Sequence, residues 1–172
     1  MSDVTIRNAV ASDRRLVDAM LVATVNWHPG RPARAPADVL ADPLCARYVE
    51  GWPRPDDVSV VAVADGTDVG AAWCRRFPAR APAYGFVDED TPEVSIAVAE
   101  PYRSRGIGGA LLRGLADAAR SAGFAALSLS VEDGNPARRL YERVGFVEVD
   151  AGQGAAVMAL ALQDRAKNGA EP

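Results

Sequence analysis

The stretch Arg103-Ser104-Arg105-Gly106-Ile107-Gly108-Gly109 sets two cations and three glycines immediately ahead of a helical pattern. Such residues suit an anion. The first amides of a helix lack partners within it, the aligned peptide dipoles place partial positive charge there, and glycines let a phosphate approach the backbone. A tight connection whose glycines serve only packing is the plainer alternative, but the flanking arginines and the immediate helix favour a phosphate cradle.

The elements around the loop decide how it could be used. An apolar run, Val94–Ala99, predicts the strand before it, and Leu111, Leu112, Leu115, Ala118, Ala119 and Ala122 share one face of the helix after it. Gly123 stops that helix and Ala126–Val131 reads as a strand, which makes a right-handed βαβ unit with a parallel pair. Asp133-Gly134-Asn135-Pro136 then turns into a helix with Ala137, Leu140, Tyr141 and Val144 on one face, ended by Gly145, and strands follow at Phe146–Asp150 and Ala155–Leu162. Upstream, the pattern predicts a strand at Val4–Val10, a helix capped by Ser12 or Asp13 and reaching Asn26, and a second short helix at Ala37–Glu50. Val58–Ala64 and Val69–Phe77 form a hairpin about Asp65-Gly66-Thr67-Asp68, and Phe77–Pro92 reads as a long loop. The expected fold is α/β (α+β): a central mixed sheet of about six or seven strands flanked by about four helices, in a single domain over residues 1–165 with a frayed tail at 166–172.

Bulk composition narrows the function classes. The chain of 172 residues is 49% hydrophobic and 24% charged, with a net charge of −4, which fits a soluble globular protein and argues against nonspecific nucleic-acid binding. The charge is uneven. Arg103 to Arg143 holds seven arginines against four acids, a surplus of three that leaves the remainder at −7, so the basic part carries the glycine loop. No apolar run approaches a membrane span and the start, Met1-Ser2-Asp3-Val4, does not read as a signal peptide, so a cytoplasmic location without membrane attachment is expected. Cys45 and Cys74 lack zinc spacing, and His28 is the only histidine, so no metal site is expected.

Two familiar phosphate sites fit poorly. A nucleoside triphosphatase loop needs a lysine and a hydroxyl that are missing here. Gly106-Ile107-Gly108-Gly109-Ala110-Leu111 nearly matches a dinucleotide fingerprint, with Glu132 after the next strand, but Leu111 stands where a small residue is needed.

The loop resembles instead the acetyl-coenzyme A signature of the GNAT superfamily of N-acetyltransferases, Q/R-x-x-G-x-G/A, which Arg103, Gly106 and Gly108 fill. The likeness runs from Glu93 to Phe146 and includes Asn135-Pro136-Ala137-Arg138-Arg139-Leu140-Tyr141 in the family's order, although Asn135 stands six rather than the commoner seven residues before Tyr141. Pro101 likewise stands one place later than the usual strand-end proline. The resemblance implies a GNAT-like acyl-CoA N-acyltransferase fold. It also implies that acetyl-CoA is the co-substrate, its pyrophosphate held by Arg103, Ser104, Arg105, Gly106, Ile107, Gly108 and Gly109, with Asn135 nearby. The pantetheine arm would pair with the backbone of Ile96, Ala97 and Val98, and an amide near Val98 would polarise the thioester carbonyl.

Acyl transfer to an amine needs a proton removed from the nucleophile and one supplied to the leaving thiolate. By resemblance Tyr141 is the general acid, although its helical face would also suit a core tyrosine. Glu93, at the start of the strand that carries the thioester, is the candidate base, acting directly or through a water, with Glu132 and Asp133 as runners-up. The acceptor would enter from the opposite side, past Trp27, His28, Trp52, Tyr84 and Phe86, and the acidic run Asp88-Glu89-Asp90 could attract a cationic amine. The expected function is transfer of an acetyl group to a primary amine of a small molecule or peptide, directly in a ternary complex, with a homodimer as one arrangement that relatives adopt. The alternative is a non-catalytic acyl-CoA-binding regulatory module.

Overall fold

The computed structural model describes residues 4–162, so the expected tail lies outside the described residues. Strand β1 (Val4–Asn8) pairs antiparallel with β2 (Val58–Ala64), β2 with β3 (Thr67–Arg75) and β3 with β4 (Glu93–Val98). The sheet continues through β5 (Ala126–Glu132), β6 (Val147–Ala151) and β7 (Ala155–Ala161), with β7 inserted between β5 and β6, giving seven strands. Among the described residues only β4 and β5 run parallel. The hairpin turn is tighter than the sequence suggested. Asp65 (φ 50°) and Gly66 (φ 78°) alone take the left-handed conformations of a two-residue turn, so β3 starts at Thr67 and ends at Arg75.

Among the described residues five α-helices flank the sheet: α1 (Arg14–Val25), α2 (Pro36–Ala41), α3 (Pro43–Ala46), α4 (Ile107–Ser121) and α5 (Ala137–Val144). The second helix expected at Ala37–Glu50 is split into α2 and α3. Pro43 cannot continue the first helix, Asp42 is extended (φ −75°, ψ 115°), and its carboxylate accepts the Leu44 N–H to start the second. Asp13 stands at the N-cap of α1 but forms no side-chain cap; its carboxylate binds Arg7 and the Val10 N–H instead.

Alternation along the strands divides the core between two faces. Ala72 and Cys74 of β3 join Leu111, Leu112 and Leu115 of α4, while Ala71 and Trp73 join Val17 and Leu21 of α1 with Tyr48 and Trp52. Leu140, Tyr141 and Val144 place α5 on the α4 face. Residues 47–57 are fastened to the end of β3 by a buried cation. Arg75, 1% exposed, bonds both oxygens of Asp57 through Nε and Nη2 at 2.9 and 2.6 Å, and Nη1 reaches the carbonyls of Arg47 and Glu50 at 2.8 and 2.9 Å. Removing one partner of such a pair leaves an uncompensated buried charge. Asp57→Ala should therefore lose about 3 kcal/mol of stability or more in urea denaturation. A loss near zero would show that Arg75 is satisfied by the two carbonyls alone.

Candidate active site

The parallel pair is the irregular part of the sheet. β4 and β5 share one ladder position, Glu93 opposite Ser128, supported by the Ser128 N–H donating to the Pro92 carbonyl at 3.0 Å. Beyond it the described residues of the two strands part. Because the Ala99 N–H donates to Val69 on the β3 side, alternation turns the amides of Ile96 and Val98 toward β5. Their carbonyls are occupied: Thr24 Oγ1 donates to Ile96 O at 3.2 Å and Arg103 Nε to Val98 O at 3.0 Å. Ala97, which the sequence grouped with them, turns its amide to β3 by the same alternation.

At the open end of this seam, Arg103 to Gly109 bends into α4. Ser104 (φ 62°) and Gly106 (φ 80°) are left-handed, and Gly106 is the N-cap. The first helical bond there is Ala110 N–H to Gly106 O, so the amides of Ile107, Gly108 and Gly109 have no intrahelical acceptor. Gly108 has a second duty. A Cβ there would stand 2.9 Å from Leu140 Cδ2, so the bare backbone allows α5, with Tyr141, to pack closely on α4. Arg105 lies over the Tyr102 ring. Asn135 borders the cleft, but its Oδ1 accepts the Ala137 N–H at 2.9 Å at the start of α5.

A cleft of about 750 Å³ occupies the seam, and both Glu93 and Tyr141 line it. They belong to opposite faces of the sheet. Tyr141 packs with the α4 core, edge-to-face with Phe146 at 6.0 Å, whereas Glu93 meets Tyr48 of the α1 core. Parting of the strands lets both open into one space. Burial pushes the Tyr141 phenol up to about 12, so it stays protonated at neutral pH. Glu93 is 4% exposed; Tyr48 Oη donates to its Oε1 at 2.8 Å, and Oε2 has no hydrogen-bond partner. Burial raises its carboxyl from 4.5 to about 7, against the opposing pull of the Tyr48 hydroxyl, the nearby Gly85 amide and the Arg47 guanidinium.

Tyr48 and Gly85 carried no obvious sequence signal. Tyr48 sat inside an expected helix, and Gly85 in a loop without periodicity. A Cβ at Gly85 would lie 2.5 Å from Leu129 C and 2.6 Å from Ser130 N, so the loop rests directly on β5 backbone. Of the aromatic candidates, Trp27, His28 and Tyr84 line the cleft, with Tyr84 60% exposed. Trp52 does not: it is buried and donates through Nε1 to Ser59 Oγ at 3.0 Å. Phe86 packs against the α1 core. The acidic run lies outside the cleft and builds the loop itself, with Glu89 accepting the Ala79 N–H and Asp88 the N–H groups of Asp90 and Thr91. Glu132 faces the cleft but is paired with Arg31 of the opposite wall at 2.8 Å.

The sequence matches the acetyltransferase (GNAT) family over residues 23–146. The chain belongs to the GNAT family. Its fold is similar to that of the yncA protein of Salmonella typhimurium, described as an acetyltransferase and solved with its cofactor acetyl-CoA, with 23% identity, TM-score 0.67 and coverage of 98% of this chain and 99% of that one. An N-acetyltransferase from Staphylococcus aureus Mu50 is similar at 22% identity and TM-score 0.69, over 94% and 100% of the two chains. A ribosomal-protein-alanine N-acetyltransferase from Brucella melitensis is similar at 25% identity and TM-score 0.65, over 91% and 99%. No curated protein sequence matches. The mixed sheet and the GNAT-like architecture expected from the sequence are thus present, with five α-helices rather than about four.

The buried Glu93 of this GNAT protein has a stability consequence. Its folded carboxyl binds a proton more readily than the unfolded one, so stability from this group is full below the ordinary value of 4.5 and is lost as pH rises through about 7. Glu93→Gln removes that dependence. Denaturant titrations should show the variant gaining on the native protein by about 3 kcal/mol between pH 4.5 and pH 8. A constant difference across that range would mean that Glu93 ionises normally.

Proposed function

We propose that the protein transfers an acetyl group from acetyl-CoA to a primary amine of a small molecule or peptide, directly in a ternary complex. The observation that carries this reading is the meeting of a buried, unpartnered Glu93 oxygen and the Tyr141 phenol in one cleft along parted strands. The donor fits the residues present. Free amides of Ile107 to Gly109 and the left-handed backbone of Ser104 and Gly106 suit a pyrophosphate, and the amides of Ile96 and Val98 suit an extended amide-bearing arm. Bound acetyl-CoA supplies an activated acetyl thioester and a thiolate leaving group.

Glu93 Oε2 accepts the proton of the incoming ammonium, directly or through one water, and a carboxyl near 7 is matched to that task at neutral pH. The Val98 amide donates to the carbonyl oxygen as negative charge grows on it. As the nitrogen–carbon bond forms and the carbon–sulfur bond breaks, Tyr141 donates its proton to sulfur. The nitrogen sheds its remaining extra proton as the amide forms, which restores the phenol, and burial keeps that phenol protonated at neutral pH. Cys45 also lines the cleft, but burial and Asp42 raise its thiol, which suppresses the thiolate a covalent acyl-enzyme route needs and favours direct transfer.

Free-thiol release from acetyl-CoA, followed across a panel of small amines and N-terminal peptides, tests the reading. Turnover on one acceptor class is expected. Tyr141→Phe should reduce kcat by about 10²-fold or more while leaving acetyl-CoA affinity within a few-fold, and Glu93→Gln should flatten the acidic limb of the kcat/KM profile. Tight acetyl-CoA binding without turnover on every acceptor would replace the enzyme with a binding module.

A further inference from the structure

The base reading leaves one buried phenol unused. Tyr48 is 8% exposed and lies on the segment that Arg75 and Asp57 fasten to β3, outside the β4–loop–α4 unit and outside α5. Its oxygen makes two hydrogen bonds. It donates to Glu93 Oε1 at 2.8 Å, and it accepts the Tyr84 backbone N–H at 3.3 Å. The second bond fixes the direction of the first: with the Tyr84 amide pointing at its lone pair, the hydroxyl proton is directed to the carboxylate. Glu93 is therefore held at Oε1, while Oε2 is buried without a hydrogen-bond partner in a side chain that lines the cleft.

Resting on the assignment of Glu93 as base, we infer that Tyr48 is a positioning residue that selects Oε2 as the proton-accepting oxygen and couples the loop carrying Tyr84 and Gly85 to the ionisation of Glu93. The loop can transmit such a coupling because its seat is unambiguous. Gly85 contacts the backbone of Leu129 and Ser130, and Arg47 clamps the loop from outside, with Nη1 on the Pro82 carbonyl at 2.9 Å and its guanidinium 5.2 Å from the Tyr84 ring centroid. An acceptor that presses on exposed Tyr84 moves the amide that orients the Tyr48 hydroxyl.

Among the described residues Tyr48 makes the one side-chain hydrogen bond to Glu93, and the Gly85 amide also favours the carboxylate. Arg47 lies on the same segment but is engaged with the Leu44 and Pro82 carbonyls. Arg75, across the β3 ladder, is committed to Asp57 and to two carbonyls. Ser128 opposes Glu93 on β5 with an unpartnered hydroxyl; of the charged groups that line the cleft with it, Arg31 is paired with Glu132 and Arg34 with Asp42, while Tyr141, His28 and Cys45 also line it. The loop contributes backbone amides alone.

Tyr48→Phe keeps the ring and its edge-to-face contact with Phe77 while removing the hydroxyl. Losing a donor to the carboxylate disfavours the charged form. The acidic limb of kcat/KM should move up from near pH 7 by about one pH unit or more, whereas a purely structural role would lower the plateau and leave the limb in place. Titration of the Glu93 carboxyl by 13C NMR, assigned by its loss in Glu93→Gln, gives the same readout without turnover, and circular dichroism establishes that Tyr48→Phe is folded. An upward move of the Glu93 midpoint in Tyr48→Phe supports the inference; an unchanged midpoint overturns it. Full activity of Glu93→Gln would overturn the base assignment instead, and the NMR midpoint would still report whether Tyr48 governs the carboxyl.

Discussion

Everything in the cleft depends on the ladder between β4 and β5 failing after Glu93 and Ser128. A paired strand satisfies its own backbone, and a parted one must find other partners. Here Thr24 and Arg103 occupy two of the freed carbonyls, which leaves the amides of Ile96 and Val98 as donors without strand partners. The same gap passes through the sheet. It lets a carboxylate from the α1 side and a phenol from the α4 side share one volume, which a continuous ladder would forbid.

Packing and electrostatics then act on one another. Burial raises the carboxyl of Glu93, and the burial comes from elements distant in sequence: Tyr48 after α3, and Gly85 in the loop before β4. Neither segment would hold its place alone. Arg75 and Asp57 tie down the first, while backbone contact with β5 and the reach of Arg47 tie down the second. A network of structural contacts therefore sets the proton affinity of a group that touches none of the outer residues.

The local half of this architecture was legible in the sequence because its signals are local. Gly106, Gly108 and the periodic leucines of α4 mark a strand, a loop and a helix within a short span, and Gly145 marks the end of α5 with φ 114°. Where the sequence erred, a nearby residue outweighed the pattern, as when Pro43 cut one expected helix into two. The acidic run Asp88-Glu89-Asp90 has a structural duty that composition did not show, because the carboxylates of Asp88 and Glu89 accept the amides of their own loop. Tyr48 could not have been found, because its role exists only across a separation of 45 residues from Glu93. Contacts of that reach leave no spacing in the chain to read.

The loop that crosses β5 places two opposite kinds of position side by side. Tyr84 is 60% exposed and meets the cleft, while at Gly85 a single added carbon would stand 2.5 Å from a backbone atom. Variation can therefore explore the first position freely and the second hardly at all. A lineage of such chains could vary the side chain at the rim of the cleft while the adjoining residue keeps the loop seated on β5.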